Sequence, residues 1–247
     1  MAAPTKINPG LRVYSRIHRP DASILARLAN AGVGDVSDSM HGMGVMDPGI
    51  RQIYAPMKRI FGPAITVDVS PGDGLLLRAA LESAQPGDVI VANSHGATAR
   101  ALLGGAIGMH LAHRGVQGLV VDGAVRDVAE FQALDFPVMA RAVTPRSGTS
   151  SAGWGEVNVP VACGTAVVEP GDIIIGDVEG LVVVPRRWAD QIANTLGNTG
   201  HAAFDPGSIR SRLAALVPRA PITGIENLHR AMAERGGTVI DGVYGED

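Results

Sequence analysis

A tight turn feeding an apolar run occurs twice in this chain, and each occurrence demands a strand with little solvent on either face. Gln85-Pro86-Gly87-Asp88 leads straight into Val89-Ile90-Val91, and Glu169-Pro170-Gly171-Asp172 into Ile173-Ile174-Ile175. Proline fixes φ and glycine accepts a positive φ, so Pro-Gly fits the two central positions of a type II turn. The runs that follow lack polar alternation, as buried strands do. We read the two copies as recurring local chemistry and not as a duplicated unit.

Further strands are expected at Pro63–Val69, Gly118–Asp122, Val138–Ala140, Val157–Val161, Ala166–Val168 and Leu181–Val184. Helices are expected from Asp21, a plausible N-cap, through Ile24, Leu25 and Leu28 to a stop at Gly32. Others follow Asp73-Gly74, follow Gly104-Gly105 as far as Arg114-Gly115, begin at Arg126-Asp127, and cover Arg187–Leu196. Asp35–Met40 reads as a polar segment, and Gly123-Ala124-Val125 as a loop. Helices cross between strands early and the second half is rich in strand, which makes the chain α/β. Residues 1–19 read as an arm, 20–204 as the catalytic domain and 205–247 as an extension. The extension carries a helix near Ser208–Leu216 and helical spacing at Ile225, Leu228 and Met232. It is expected to pack on the core or on a neighbouring subunit.

Composition removes several classes of function. With 247 residues, 46% hydrophobic, the chain can bury a sizeable core, and a net charge of −3 leaves no footprint for nucleic acid or anionic membrane. No apolar run approaches the length of a transmembrane helix, and Met1 to Gly10 lacks the apolar stretch of a secretory signal. A single cysteine, Cys163, excludes a disulfide framework and Cys-based zinc sites. It sits in an apolar strand and reads as core. These features together suggest a cytoplasmic protein. Only two lysines are present, Lys6 and Lys58, and neither has the context of a Schiff-base site. No nucleophile elbow, Walker loop or strand-linked dinucleotide fingerprint is found.

The strongest chemical constellation is Gly104-Gly105 with Arg126-Asp127. Both pairs bring the chain into a helix start, where free backbone N–H groups attract an anion. Facing one cleft, they would suit an oxoacid: arginine takes the carboxylate bidentately and aspartate holds a divalent cation. The same residues also fit an N-capping Asp beside an Arg paired to a neighbour. Glu130, three residues beyond Asp127, is either a carboxylate orienting water or a first-turn acid. Asp73 is either a ligand or an N-cap. His110 and His113 share a helix face but have no accompanying Glu, and His41 and His95 lie in loops.

From about Ile24 to Asp190 the chain resembles the RraA-like superfamily, which includes divalent-metal 4-hydroxy-4-methyl-2-oxoglutarate / 4-carboxy-4-hydroxy-2-oxoadipate aldolases and the regulator of ribonuclease activity A. The resemblance rests on Pro71-Gly72-Asp73, Gln85-Pro86-Gly87-Asp88, Gly104-Gly105, the run Gly118 to Asp127, Val157-Asn158-Val159-Pro160-Val161 and Pro170-Gly171-Asp172, in that order and spacing. It implies a layered β/β/α swivelling-type domain, here with a C-terminal helical extension, assembled as a homotrimer or dimer of trimers. It implies that Arg126 binds the oxo and carboxylate oxygens of pyruvate and that Asp127 ligates Mg²⁺ or Mn²⁺. Backbone amides near Ala106 and Ile107 would hold the substrate carboxylate, and Thr149 would bring a hydroxyl near the site. The implied activity is class II C–C lyase chemistry on a 4-hydroxy-2-oxoacid through a pyruvate enolate, with oxaloacetate decarboxylation from the same enolate stabilisation. A regulator binding an RNA-processing protein and, further off, a methyltransferase remain the alternatives.

Three positions depart from the aldolases. Gly105 stands where they carry an acid, and Ser151 stands where they carry a lysine. Gly200-His201-Ala202-Ala203 offers no acid where they supply a glutamate to the neighbouring subunit.

Overall fold

In both Pro-Gly-Asp turns the aspartate closes the loop that the proline and glycine open. Asp88 Oδ2 accepts the Gln85 N–H at 2.7 Å, and Asp172 Oδ2 accepts the Glu169 N–H at 2.8 Å. Gly87 and Gly171 adopt φ of 97° and 88°, conformations closed to most side chains. Both aspartates are buried. For Asp172 the loss of water outweighs two N–H donors, from Arg186 and Glu169, and holds its carboxyl above the usual range.

A computed structural model describes residues 11–150 and 154–198. In chain order the strands are β1 (Leu11–Val13), β2 (Arg51–Gln52), β3 (Ile60–Val69), β4 (Val89–Leu103), β5 (Gly118–Val125), β6 (Val138–Val143), β7 (Gly155–Val157), β8 (Val161–Cys163), β9 (Ala166–Val168), β10 (Ile173–Asp177) and β11 (Gly180–Val184). The helices are α1 (Ala22–Leu28), α2 (Val33–Ser39), α3 (Leu75–Ser83), α4 (Gly105–His113), α5 (Val128–Ala133) and α6 (Ala189–Asn198). Parallel strands β3, β4, β5 and β6 form the centre of a sheet ordered β1-β7-β3-β4-β5-β6-β2. The N-terminal half of β3 pairs antiparallel with β10, so the β10–β11 hairpin grows from the same strand.

Side-chain alternation along the central strands sorts the core into layers. Ile65, Val67, Ile90, Ala92, Leu119, Val121 and Val138 face the helices α3, α4 and α5. Their neighbours Ala64, Val89, Val91, Val120 and Met139 face Ile174, Leu181 and Val183 of the hairpin. The hairpin's other face, Ile173, Ile175, Val182 and Val184, packs on Leu28, Val36, Ile192 and Leu196 of α1, α2 and α6. The chain is therefore a layered β/β/α unit with a second helical layer outside the hairpin. Each fully buried Val, Leu or Ile contributes roughly 1.5–3 kcal/mol. A polar residue at Val120, which touches neither solvent nor a polar partner layer, would break two layers at once.

Some expectations need correction. Asp35–Met40 is not irregular: α2 forms because Val33, Val36 and Met40 fall on one buried face. Gly123-Ala124-Val125 is no loop but the end of β5, all eight residues of which are buried. The helix expected at Arg126-Asp127 starts at Val128. The first helix ends at Leu28, short of Gly32, and Asp21 holds the N-cap position without a side-chain cap bond. Residues 1–10 of the arm and the whole 205–247 extension lie outside the described residues.

Candidate active site

β4, β5 and β6 run parallel, so their C-terminal ends open at the same edge of the sheet, where ligands gather in α/β folds. At this edge β4 delivers Ala101, Leu102 and Leu103 into Gly104 and α4, while β5 delivers Arg126 and Asp127 into α5. The Arg126 N–H donates to the Leu103 carbonyl at 3.1 Å, which pins the two strand ends together. A third wall comes from Ser147 to Ser150. Thr149 N–H donates to the Gly72 carbonyl at 2.8 Å and Gly74 N–H to the Thr149 carbonyl at 2.9 Å. These walls enclose a cavity of about 220 Å³ lined by Gly74, Arg78, Gly104, Ala106, Ile107, Arg126, Asp127 and Thr149, with backbone from 101–103 and 147–150.

Asp127 is the pivot. Its backbone takes the left-handed conformation, φ 60° and ψ 42°, which Gly, Asn and Asp tolerate better than other residues. The side chain caps nothing in its own helix. It turns across to α4, where Oδ2 accepts the Gly105 N–H at 3.1 Å and lies 3.4 Å from Arg126 Nε. Asp127 thus holds the N-cap position of α5 without a side-chain cap bond and instead accepts the first N–H of α4.

Gly104 and Gly105 are required by close approach. A β-carbon on Gly104 would overlap the Asp127 carboxylate and stand 2.8 Å from Arg126 Cγ, and one on Gly105 would overlap the Glu130 carboxylate. The α4 N-terminus is also partly spoken for. Asp127 takes the Gly105 N–H and the Gly104 carbonyl takes the Ile107 N–H at 3.1 Å, which leaves the Ala106 amide for a ligand. Glu130 is exposed and lies against Gly105, outside the cavity wall, as does Gly105 itself. Asp73 is buried behind the wall. Its Oδ1 accepts the Leu75 N–H at 3.0 Å and its Oδ2 the Thr149 hydroxyl at 3.4 Å, so it orients the α3 start and the Thr149 segment.

The sequence pattern did not flag Arg78, Ser147 or Gly148. Arg78 could have been found from its place four residues after Gly74, on one helical face. His110 and His113 are exposed on α4, and among the described residues no group of three or more His, Cys, Asp or Glu is placed to hold a metal. The carboxylate donors at the cavity wall reduce to Asp127. That set still fits Mg²⁺ or Mn²⁺, because such ions keep several waters, take one or two carboxylates from the protein and accept the rest of their shell from the ligand. Two departures from the aldolases, Ser151 and residues 200–203, lie outside the described residues. No described helix is long and apolar enough to cross a membrane.

Residues 33–183 match the RraA-like family model, described as Aldolase/RraA. A protein of Halalkalibacterium halodurans named "Putative 4-hydroxy-4-methyl-2-oxoglutarate aldolase" is 37% identical over 157 residues, 64% of this chain and 74% of that one. Among solved structures, an unusual member of the RNase ES inhibitor RraA family from Streptomyces coelicolor superposes with a TM-score of 0.66 at 28% identity, covering 74% of this chain and 94% of that one. The RNA-processing inhibitor RraA from Thermus superposes with a TM-score of 0.57 at 30% identity, covering 63% and 93%.

Proposed function

This chain belongs to the RraA-like family, and on that premise we propose that it is a divalent-metal-dependent C–C lyase acting on a 4-hydroxy-2-oxoacid. The observation that carries the reading is the meeting of Arg126 and Asp127 with the α4 N-terminus at one cavity. Lys58 pairs with Asp135 at the surface and does not line the cavity, so the reading does not draw on it. An enolate here must be held by cationic and N–H donors.

The residues divide the work as follows. Arg126 binds the C1 carboxylate and the 2-oxo oxygen through its planar fork, with the Ala106 amide as a further donor to the carboxylate. Asp127 would hold Mg²⁺ or Mn²⁺, which when bound supplies Lewis-acid polarisation of the 2-oxo group. The 4-hydroxyl loses its proton to water at the open side of the cavity, Glu130 standing outside the wall, and the C3–C4 bond breaks as a carbonyl forms at C4. The electron pair passes into the C2–C3 enolate of pyruvate, which Arg126 stabilises. Protonation at C3 releases pyruvate. Oxaloacetate would lose CO₂ to give the same enolate, so decarboxylation is expected alongside. Thr149 sets the third wall by its hydroxyl bond to Asp73. We expect a homotrimer or dimer of trimers, tested by light scattering of the purified protein.

The test is pyruvate release from 4-hydroxy-2-oxoacids and oxaloacetate with Mg²⁺ or with EDTA, for wild type and Asp127→Asn. Turnover should need the metal and fall by about 100-fold or more in the variant. Turnover indifferent to both would overturn the reading. A second reading, a non-catalytic regulator of an RNA-processing protein, draws on the likeness to the Streptomyces and Thermus proteins. It would be favoured by tight capture of such a partner with no turnover in the panel.

A further inference from the structure

Ser94 is the last buried residue of β4 before the strand runs on through its mostly exposed stretch 95–100, and it is 1% exposed. Its Oγ accepts the Gly72 N–H at 3.0 Å, a bond closed to solvent. Gly72 in turn carries the third wall of the cavity. Its carbonyl accepts the Thr149 N–H at 2.8 Å, and the Thr149 carbonyl accepts the Gly74 N–H at 2.9 Å. A line of hydrogen bonds thus runs from the central sheet, through one glycine, to the segment 147–150 that lines the cavity.

Close approaches leave this line little freedom. A β-carbon on Gly148 would stand 2.4 Å from the Ala101 carbonyl oxygen and 2.6 Å from that of Gly72, so the wall is pressed between β4 and the Gly72 turn. A β-carbon on Gly123 would stand 2.9 Å from Ser94 Cβ, so a glycine in β5 makes the room that Ser94 needs. Exposure separates this fastening from the one beyond it. Ser70 Oγ accepts the Trp154 N–H and donates to the Trp154 carbonyl, at 3.0 Å each, but at the surface, where water can replace either partner. At Ser94 the bond is buried, and a Gly72 N–H deprived of its acceptor must shift or stay unpaired.

We propose that Ser94 is a positioning residue for the reaction. It does not line the cavity, but through Gly72 it fixes where the Thr149 wall stands relative to Arg126 and Asp127. The proposal rests on the reading of this cavity as the cleavage site. Removing the hydroxyl frees the Gly72 turn, and the wall moves with it. Catalysis tolerates little such movement, because misplacing a bound substrate by about 1 Å costs about 100-fold in rate.

The test compares wild type with Ser94→Ala and Ser94→Cys in two measurements. Amide hydrogen exchange reads the wall. Ser94→Ala should speed exchange at Thr149 and Gly74 by about 10-fold or more beyond any change at Ile174 and Val183 of the β10–β11 hairpin. Pyruvate release from 4-hydroxy-2-oxoacids in Mg²⁺ reads the site, at a temperature where every variant is fully folded. There kcat should fall about 10- to 100-fold in Ser94→Ala. Ser94→Cys keeps a weak acceptor, should lie between the other two in both measurements, and serves alone should Ser94→Ala not fold. Exchange at Thr149 that rises no more than in the hairpin would overturn the proposal, and so would a kcat equal to wild type despite a loosened wall. If wild type cleaves nothing, the lyase reading falls, and exchange alone decides whether Ser94 holds the wall.

Discussion

The carboxylate of Glu130 occupies the space that a β-carbon on Gly105 would fill. A side chain at 105 would need the room that Glu130 now fills. Gly108, one turn on, comes close to Phe131, where a β-carbon would stand 2.4 Å from the ring, so α4 and α5 meet through a face of small residues. Arg126, Asp127 and Glu130 all depend on this approach, because it puts the start of α5 against the start of α4.

Gly105→Ala should therefore act as overpacking, not as a helix-propensity gain. We expect a loss of roughly 1–3 kcal/mol, read from denaturant unfolding. Combining it with Glu130→Gly, which also removes the β-carbon 2.7 Å from the added methyl, should return part of that loss, giving a coupling energy of at least about 0.5 kcal/mol in a double-mutant cycle. Independent, additive effects would show that the two side chains do not contend for one space.

How much of this could be read from sequence differs by element. The central strands were legible because burial on both faces removes polar alternation, as in Val89–Val91 and Ile173–Ile175. The Arg126-Asp127 pair was legible as a helix start, though an N-capping acid beside an arginine fits the same residues as well as an oxoacid site does. What could not be read is where the chain passes close to itself. Gly123 looks like a loop residue but lies within β5, where a β-carbon would stand 2.9 Å from Ser94 Cβ. β4 runs on through residues 95–100, mostly exposed, with three register shifts against β5 that no periodicity announces. Arg78 was hidden for a related reason: only the fold brings α3 to the ends of β4 and β5.

Asp122 lies within β5 and does not line the cavity. It is buried, pairs with Arg141 Nε and accepts the Gly164 N–H at 2.7 Å, while Arg141 also reaches Asp47 at 3.2 Å. Arg141→Ala would leave a buried carboxylate with a backbone donor and no cation. The expected cost is about 2–3 kcal/mol, below the range for fully buried pairs because Arg141 remains partly in water. Asp47 should respond too. The Gly49 N–H and Arg141 hold its carboxyl below the usual range, a stabilisation present above the ordinary carboxylate pKa and lost as pH falls through the lowered value. Wild type should thus lose more stability than Arg141→Ala on acidification through that window, and parallel urea midpoints across it would contradict the assignment.

Cys163 is predicted to be inert in the native protein. It is fully buried, and burial together with the nearby Asp122 charge pushes its thiol well above the ordinary range, so almost no thiolate exists at neutral pH. Alkylation by iodoacetamide should be undetectable in buffer over hours and complete within minutes in denaturant. Labelling under native conditions at a rate near that of a free thiol would mean that the β8–β9 layer opens far more readily than its packing implies.

Arg126→Lys separates charge from geometry. Both residues carry one positive charge, and Arg126 is substantially exposed, so the substitution should leave the thermal midpoint nearly unchanged. The guanidinium fork, however, addresses two oxygens in one plane, while an ammonium is a point charge on a flexible stem. If Arg126 holds the C1 carboxylate and the developing enolate oxygen together, the variant loses the interaction that grows in the transition state. We then expect kcat to fall about 100-fold with a smaller change in KM. A rise in KM with kcat intact would mean that Arg126 binds substrate and transition state equally, and the enolate would need another stabiliser. No change in either would remove Arg126 from the site.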